Sequence, residues 1–238
     1  MKSIGIILLY RLLSNKSMGL MVAMIVLTGV IGSYYLLSGP PLINVLMDPS
    51  LHARLYLFDT FFLVKIKLIL LIMIFHHMMY GNHRMDIALL MRCNRFVLGM
   101  MKWGVPTLCV LIIASISVLI IGHIYALSHY SLGYKFNIEI FLMFYIFCLY
   151  YSTLFALFMN WVQSIYSGVF IFIGFMFSEV LHGFDPHPSR FLSVLSMGFP
   201  TISVYQNGVT FSISPLLAFV YIIAFLMVNV AISGIQKY

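Results

Sequence analysis

Two runs, GVPTLCVLIIASISVLIIGHIYAL at 104–127 and SPLLAFVYIIAFLMVNVAISGI at 214–235, each pass more than twenty residues without an Asp, Glu, Lys or Arg. A helix needs about 20 apolar residues to carry a chain across roughly 30 Å of hydrocarbon at 1.5 Å per residue. Strands of a membrane barrel would alternate apolar and polar residues instead, and these runs do not. The rest of the composition agrees, with 63% hydrophobic and only 8% charged residues and a mean hydropathy of +1.06. That leaves too little polar surface to cover a water-soluble globule of 238 residues. The expected class is an all-α polytopic membrane protein, a single transmembrane domain over 1–238.

Six spans are expected, at about 18–38, 57–80, 103–127, 137–160, 165–182 and 213–234. Gly39, Pro40 and Pro41 end the first. Ahead of it, Ile6, Leu9, Tyr10 and Leu13 recur at helical spacing with Arg11, Ser14 and Asn15 largely opposite. This predicts a short interfacial helix over 3–16, and the segment has no small-residue cleavage site that would make it a removed signal. Between the fifth and sixth spans, GFDPHPSRFLSVLSMGFPTISVYQNGVTFSIS is too broken for a full crossing. The apolar pieces FLSVLSMGF and VTFSI, interrupted by Pro188, Pro200 and Gly208, are expected to be half-helices dipping into the membrane. Irregular backbone at that depth needs shielding by protein or a wet cavity.

The net charge of +7 resides at the ends of apolar segments, a pattern of topology rather than of nucleic-acid binding. Lys2, Arg11, Lys16, Arg84, Arg92, Arg95, Lys102 and Lys237 outweigh Arg54, Lys135 and Arg190. Both termini and the 81–102 loop are therefore expected in the cytoplasm.

Four of the thirteen Lys and Arg residues fall in RMDIALLMRCNRFVLGMMKWG, between the second and third spans. At 100° per residue Arg84, Ala88, Arg92 and Arg95 lie within an arc of about 80°, with Leu89, Leu90, Cys93, Phe96 and Val97 on the other side. This predicts an amphipathic cytoplasmic helix with one basic face. Such a helix can rest on anionic lipid, or it can dock on a cytoplasmic partner and pass movement to the spans beside it.

An N-terminal interfacial helix, six spans, a cytoplasmic helix between the second and third and a broken segment before the last resemble the permease subunit of exporter-type ABC transporters of the second class. Arg95-Phe96-Val97-Leu98-Gly99 is similar to the arginine, apolar pair and glycine that often open the third span there; the lysine that frequently follows the glycine is replaced by Met100, with Lys102 three residues on. The resemblance implies a coupling helix that places Arg84, Asp86, Arg92 and Arg95 against an ATPase subunit. It also implies a second permease copy, identical or different, and a bacterial plasma membrane. The chain has no G-x-x-x-x-G-K-[ST] loop, so ATP and Mg would belong to the partner, with no cofactor or catalytic residue on this chain. The small size looks similar to permeases that export hydrophobic or amphipathic peptides.

Inside the second span, Lys65 and Lys67 each cost roughly 2.5 to 3.5 kcal/mol at the bilayer centre. They are expected either to snorkel or pair with Asp59 or Glu139, or to line a translocation path together with Glu179. Glu179 and His182 also admit a rival reading, an intramembrane hydrolase with a general acid or base. Against it, no G-x-S-x-G elbow is present, and no Ser or Cys stands beside a His at obvious helical spacing. An accessory structural subunit is the third reading. Cys93, Cys109 and Cys148 lack metal-ligand spacing, and no compact ligand set for a metal is present.

Overall fold

The structure is a computed structural model that describes residues 6–8, 49–80, 94–128, 138–162, 165–184, 190–205 and 208–235. It is almost entirely helical: α1 (Pro49–Tyr80), α2 (Arg95–Ser128), α3 (Ile138–Val162), α4 (Ile165–Phe184), α5 (Arg190–Gly198) and α6 (Pro215–Ile235). A two-stranded antiparallel hairpin, β1 (Ile202–Tyr205) and β2 (Gly208–Phe211), separates α5 from α6.

Three of these helices are long and apolar enough to cross a membrane within the described residues: Arg95–Leu119 of α2, Phe141–Val162 of α3 and Pro215–Ile235 of α6. A shorter apolar stretch, Tyr166–Leu181, lies in α4. The chain is therefore a helical membrane protein. The predicted first span at 18–38 and most of the interfacial helix at 3–16 lie outside the described residues, although Ile6, Ile7 and Leu8 are helical and Leu8 is buried.

The spanning stretch of α3 is 61% buried, against 33% for α2 and 22% for α6. Helix α3 is thus the central post, touching α1, α2, α4, α6 and both strands. Its buried face carries Phe144, Phe147, Tyr150, Tyr151, Phe155 and Met159. Phe147, Tyr151 and Phe175 of α4 pack edge to face or tilted at centroid distances of 4.8 to 5.9 Å, the arrangement that aromatic quadrupoles favour.

The helix starts follow local chemistry. Ser214 precedes α6, its hydroxyl accepts from Leu217 N at 3.2 Å, and Pro215 takes the first helical position, where its missing N–H costs nothing. Asn94 does the same for α2: its side-chain oxygen accepts from Phe96 N at 3.3 Å and its carbonyl from Leu98 N at 3.0 Å. This cap corrects one sequence expectation. A single helix cannot run through 84–103, because Asn94 is non-helical and Arg95 is the first residue of the long apolar helix α2. Arg84 and Arg92, the rest of the expected basic face, lie outside the described residues.

A second correction concerns VTFSI. It is not a half-helix: Val209, Thr210 and Phe211 are strand β2, paired to β1 in the register Ile202 with Phe211 and Val204 with Val209. β-Branched Ile202, Val204, Val209 and Thr210 near an Asn207-Gly208 dipeptide outweigh helix propensity here. The other piece, FLSVLSMGF, does form a short helix, α5.

Helices α2 and α6 cross closely through small residues. A Cβ added at Gly99 would lie 2.6 Å from Ser233 Oγ, and one at Gly234 would lie 2.7 Å from the Phe96 ring. Close backbone approach of this kind is how membrane helices gain dispersion contact without a hydrophobic driving force. It also gives a physical reason for the Phe96 and Gly99 spacing.

Candidate functional site

The link from α5 to β1 is non-helical backbone packed inside the bundle, where each unpaired carbonyl would be expensive. Six consecutive carbonyls there find donors. Tyr150 of α3 donates to Met197 O at 3.0 Å and Gly198 O at 3.2 Å. Ser178 of α4 donates to Phe199 O at 2.8 Å, and Tyr151 to Pro200 O at 3.0 Å. Ser212 N donates to Thr201 O at 3.0 Å, and Lys65 Nζ of α1 to Ile202 O at 2.7 Å. The carbonyls left over at the end of α5 are thus capped by side chains of α3 and α4, and α1 reaches the first carbonyl of β1. We call residues 190–213 the strap.

Phe199 fixes the strap laterally. Its ring lies on Gly174 of α4, where an added Cβ would come within 2.4 Å of the ring, and it meets Phe170 edge to face at 6.4 Å. Only a residue without a side chain leaves room for that contact.

Lys65 carries a second bond, an ion pair with Glu179 of α4. Both side chains are about 95% buried. The sequence suggested Asp59 or Glu139 as partner; the structure pairs Lys65 with Glu179, 114 residues away. One Glu179 oxygen, Oε2, has no hydrogen-bond partner among the described residues. The pair therefore offsets most, not all, of its desolvation, and Lys65 joins α1, α4 and the strap at one atom. Lys67 is only half-buried, as expected for a residue about 200° away around the helix.

Two more polar networks hold the post. His76 Nε2 of α1 and Ser152 Oγ of α3 are 2.7 Å apart, and Ser152 Oγ is 2.6 Å from Thr107 Oγ1 of α2. No local spacing announces this Ser–His contact, because the residues stand 76 apart. His76 and Ser152 have no exposed surface, and the contact ties three helices together. The second network lies near the start of α2. Asn160 Nδ2 donates to Asn229 Oδ1 at 2.9 Å and to Ser233 Oγ at 2.8 Å, and Asn229 Nδ2 donates to Tyr80 OH at 3.2 Å. Lys102 is buried with its ammonium 5.1 Å from the Tyr80 ring centroid, a cation–π geometry.

Of the residues singled out in the sequence, Lys65 and Glu179 come together, and Arg95 is exposed at the start of α2. Arg84, Asp86 and Arg92 lie outside the described residues, as does the side chain of His182. Tyr150, Tyr151 and Ser178 were missed. Their only signal was that tyrosines and a serine inside apolar runs need hydrogen-bond partners.

Beside the strap is a half-open cavity of about 390 Å³ walled by Tyr150, Phe158, Phe170, Phe199, Tyr221 and Phe225, with Met197 and Gly198 at its edge.

No protein-family model matches the chain, and no curated protein or solved structure shows significant similarity to it.

Proposed function

We propose that the chain is the transmembrane permease subunit of an ATP-driven ABC exporter. It crosses the plasma membrane, most consistently a bacterial one, six times with both termini in the cytoplasm. It works with a separate ATP-binding subunit, which holds ATP and Mg, and with a second permease copy. Its cargo is a hydrophobic or amphipathic peptide.

One observation carries this reading: the broken segment before the last long helix enters the bundle and is bound carbonyl by carbonyl by α1, α3 and α4. A passive anchor has no need for irregular backbone at this depth. Irregular backbone inside a bundle is tolerated where protein buries it or where it lines a wet cavity, and we read the strap, bonded on one side and open to a groove on the other, as the edge of a transport path. The Lys65–Glu179 pair then acts at the path by holding the strap to α1 and α4, with Lys67 near it.

The drive enters at the other end. Arg84, Asp86 and Arg92 belong to the coupling segment that meets the ATPase, and Asn94 is the joint between it and α2. Arg95 stands just past that joint, exposed, where acidic side chains of a soluble partner can pair with it. Movement there reaches α6 through the Phe96–Gly234 and Gly99–Ser233 contacts.

The test uses inside-out vesicles from cells expressing the complete system and a labelled amphipathic peptide. ATP-dependent uptake is expected in the parent and should disappear in the Arg92→Glu, Arg95→Glu variant. Equal uptake in parent and variant would overturn the coupling role, and uptake that needs no ATP would overturn the exporter reading.

A further inference from the structure

We infer that the aromatic groove between α3, α4, α5 and α6 is a seat for one acyl chain of a bilayer lipid, which braces the strap from its open side. The groove is walled by six aromatic residues together with Leu154, Ile171, Met197 and Gly198. Its one nearby hydroxyl on α3, that of Tyr150, is already committed to Met197 O and Gly198 O. Water needs two to four polar partners to occupy such a space, and besides the committed Tyr150 hydroxyl the lining side chains offer only the hydroxyl of Tyr221.

The mouth of the groove indicates where the occupant comes from. Phe170 is a wall of the groove and is also 61% exposed, and Met197 is 45% exposed. The groove is therefore continuous with the outer apolar face of α4, where Ile173 and Phe177 are exposed. On its other side is α6, whose spanning stretch is only 22% buried and whose Val220, Ile223 and Met227 face outward. For a helix that crosses a bilayer, such a face meets hydrocarbon chains. A flexible methylene chain suits a space lined by rings at several inclinations: Tyr221 and Phe225 stack at 5.9 Å, while Tyr150 meets Phe225 edge to face at 5.8 Å.

Gly198 supplies a clean handle, because a Cβ added there meets nothing within 4 Å although the residue lines the groove. A leucine at 198 would fill the seat without displacing the strap. Gly104 on α2 is equally open but does not line the groove, so Gly104→Leu controls for an added side chain elsewhere.

The experiment reconstitutes the full chain in liposomes of phosphatidylcholine and phosphatidylglycerol containing a phosphatidylcholine with a diazirine in its acyl chain. After photolysis, labelled residues are mapped by mass spectrometry. Wild type and Gly104→Leu are expected to label at Met197, Phe199 or Phe225. In Gly198→Leu that label should fall about tenfold, the equivalent of nearly two methylenes losing their seat, while label at Met227 stays constant. Should the leucine variant fail to fold, Gly198→Ala carries the test with a fall of about fourfold, one methylene's worth. Absence of label on the strap in wild type, or equal label in wild type and the Gly198 variants, overturns the proposal. So does loss of the strap label when an apolar peptide is added at constant lipid, because the seat would then belong to peptide.

Discussion

Replacing the Lys65–Glu179 pair one residue at a time and then together separates a clasp from two independent buried polar groups. Glu179→Leu leaves the ammonium of Lys65 buried with only Ile202 O as acceptor. Lys65→Met leaves a buried carboxylate already short of one partner at Oε2 and removes the donor to Ile202 O as well. Breaking a buried pair from one side costs about 3 to 5 kcal/mol. The double variant removes both charges and leaves only the Ile202 carbonyl unsatisfied, a cost of about 1 to 3 kcal/mol. The double variant should therefore be about 2 kcal/mol more stable than either single variant, and far from the sum of the two. The assay is reversible unfolding of the purified chain in mixed micelles titrated with denaturing detergent, followed by helical circular dichroism. Additivity of the two single costs within about 0.5 kcal/mol would mean that the two groups do not interact, and the clasp would be refuted.

Tyr151→Phe and Ser178→Ala each orphan one strap carbonyl and should destabilise by about 1 kcal/mol, with a cysteine placed at Met197 becoming more reactive to a membrane-permeant maleimide; unchanged reactivity would detach these bonds from strap order. Gly99→Leu and Gly234→Leu should each cost about 1 to 3 kcal/mol by overpacking the α2–α6 crossing, whereas Gly104→Leu should be near neutral; a thermal-denaturation series on the three variants checks the ranking. Ser152→Ala leaves His76 Nε2 without its partner, so stability should fall by about 1 to 3 kcal/mol. Ser152 should also resist a fluorophosphonate probe, and its labelling in the folded chain would show that the site is open to a substrate.

Much of the architecture was legible in the sequence. The apolar runs placed helices at 137–160, 165–182 and 213–234, and the structure has Ile138–Val162, Ile165–Phe184 and Pro215–Ile235 there, the first and last of them long and apolar enough to cross a membrane. Hydropathy cannot show where a helix runs past its apolar part, so α1 and α2 begin well before the expected spans, at Pro49 and Arg95. The cap that starts α2 at Arg95 was present in the letters as Asn94, but a helical-wheel reading assumes an unbroken helix and passes over it. The hairpin was missed for a similar reason: apolar content was weighed ahead of the β-branched residues and the Asn207-Gly208 pair.

The site itself was less legible, because its contacts join residues distant in the chain. Lys65 and Glu179 each announced themselves as charges inside apolar runs, yet their pairing is set by how α1 and α4 pack against α3. Tyr150 and Tyr151 look like ordinary residues of an aromatic-rich span. Their role depends on where the strap descends, and no local periodicity encodes that.

The most direct test of the permease account is to purify the tagged chain from its native membrane in mild detergent, identify the proteins that accompany it and assay the sample for ATP hydrolysis. The account predicts a stoichiometric ATP-binding subunit whose hydrolytic activity purifies with the chain and whose recovery falls with Arg92→Glu plus Arg95→Glu. A chain that purifies without any nucleotide-binding partner under these conditions would contradict it.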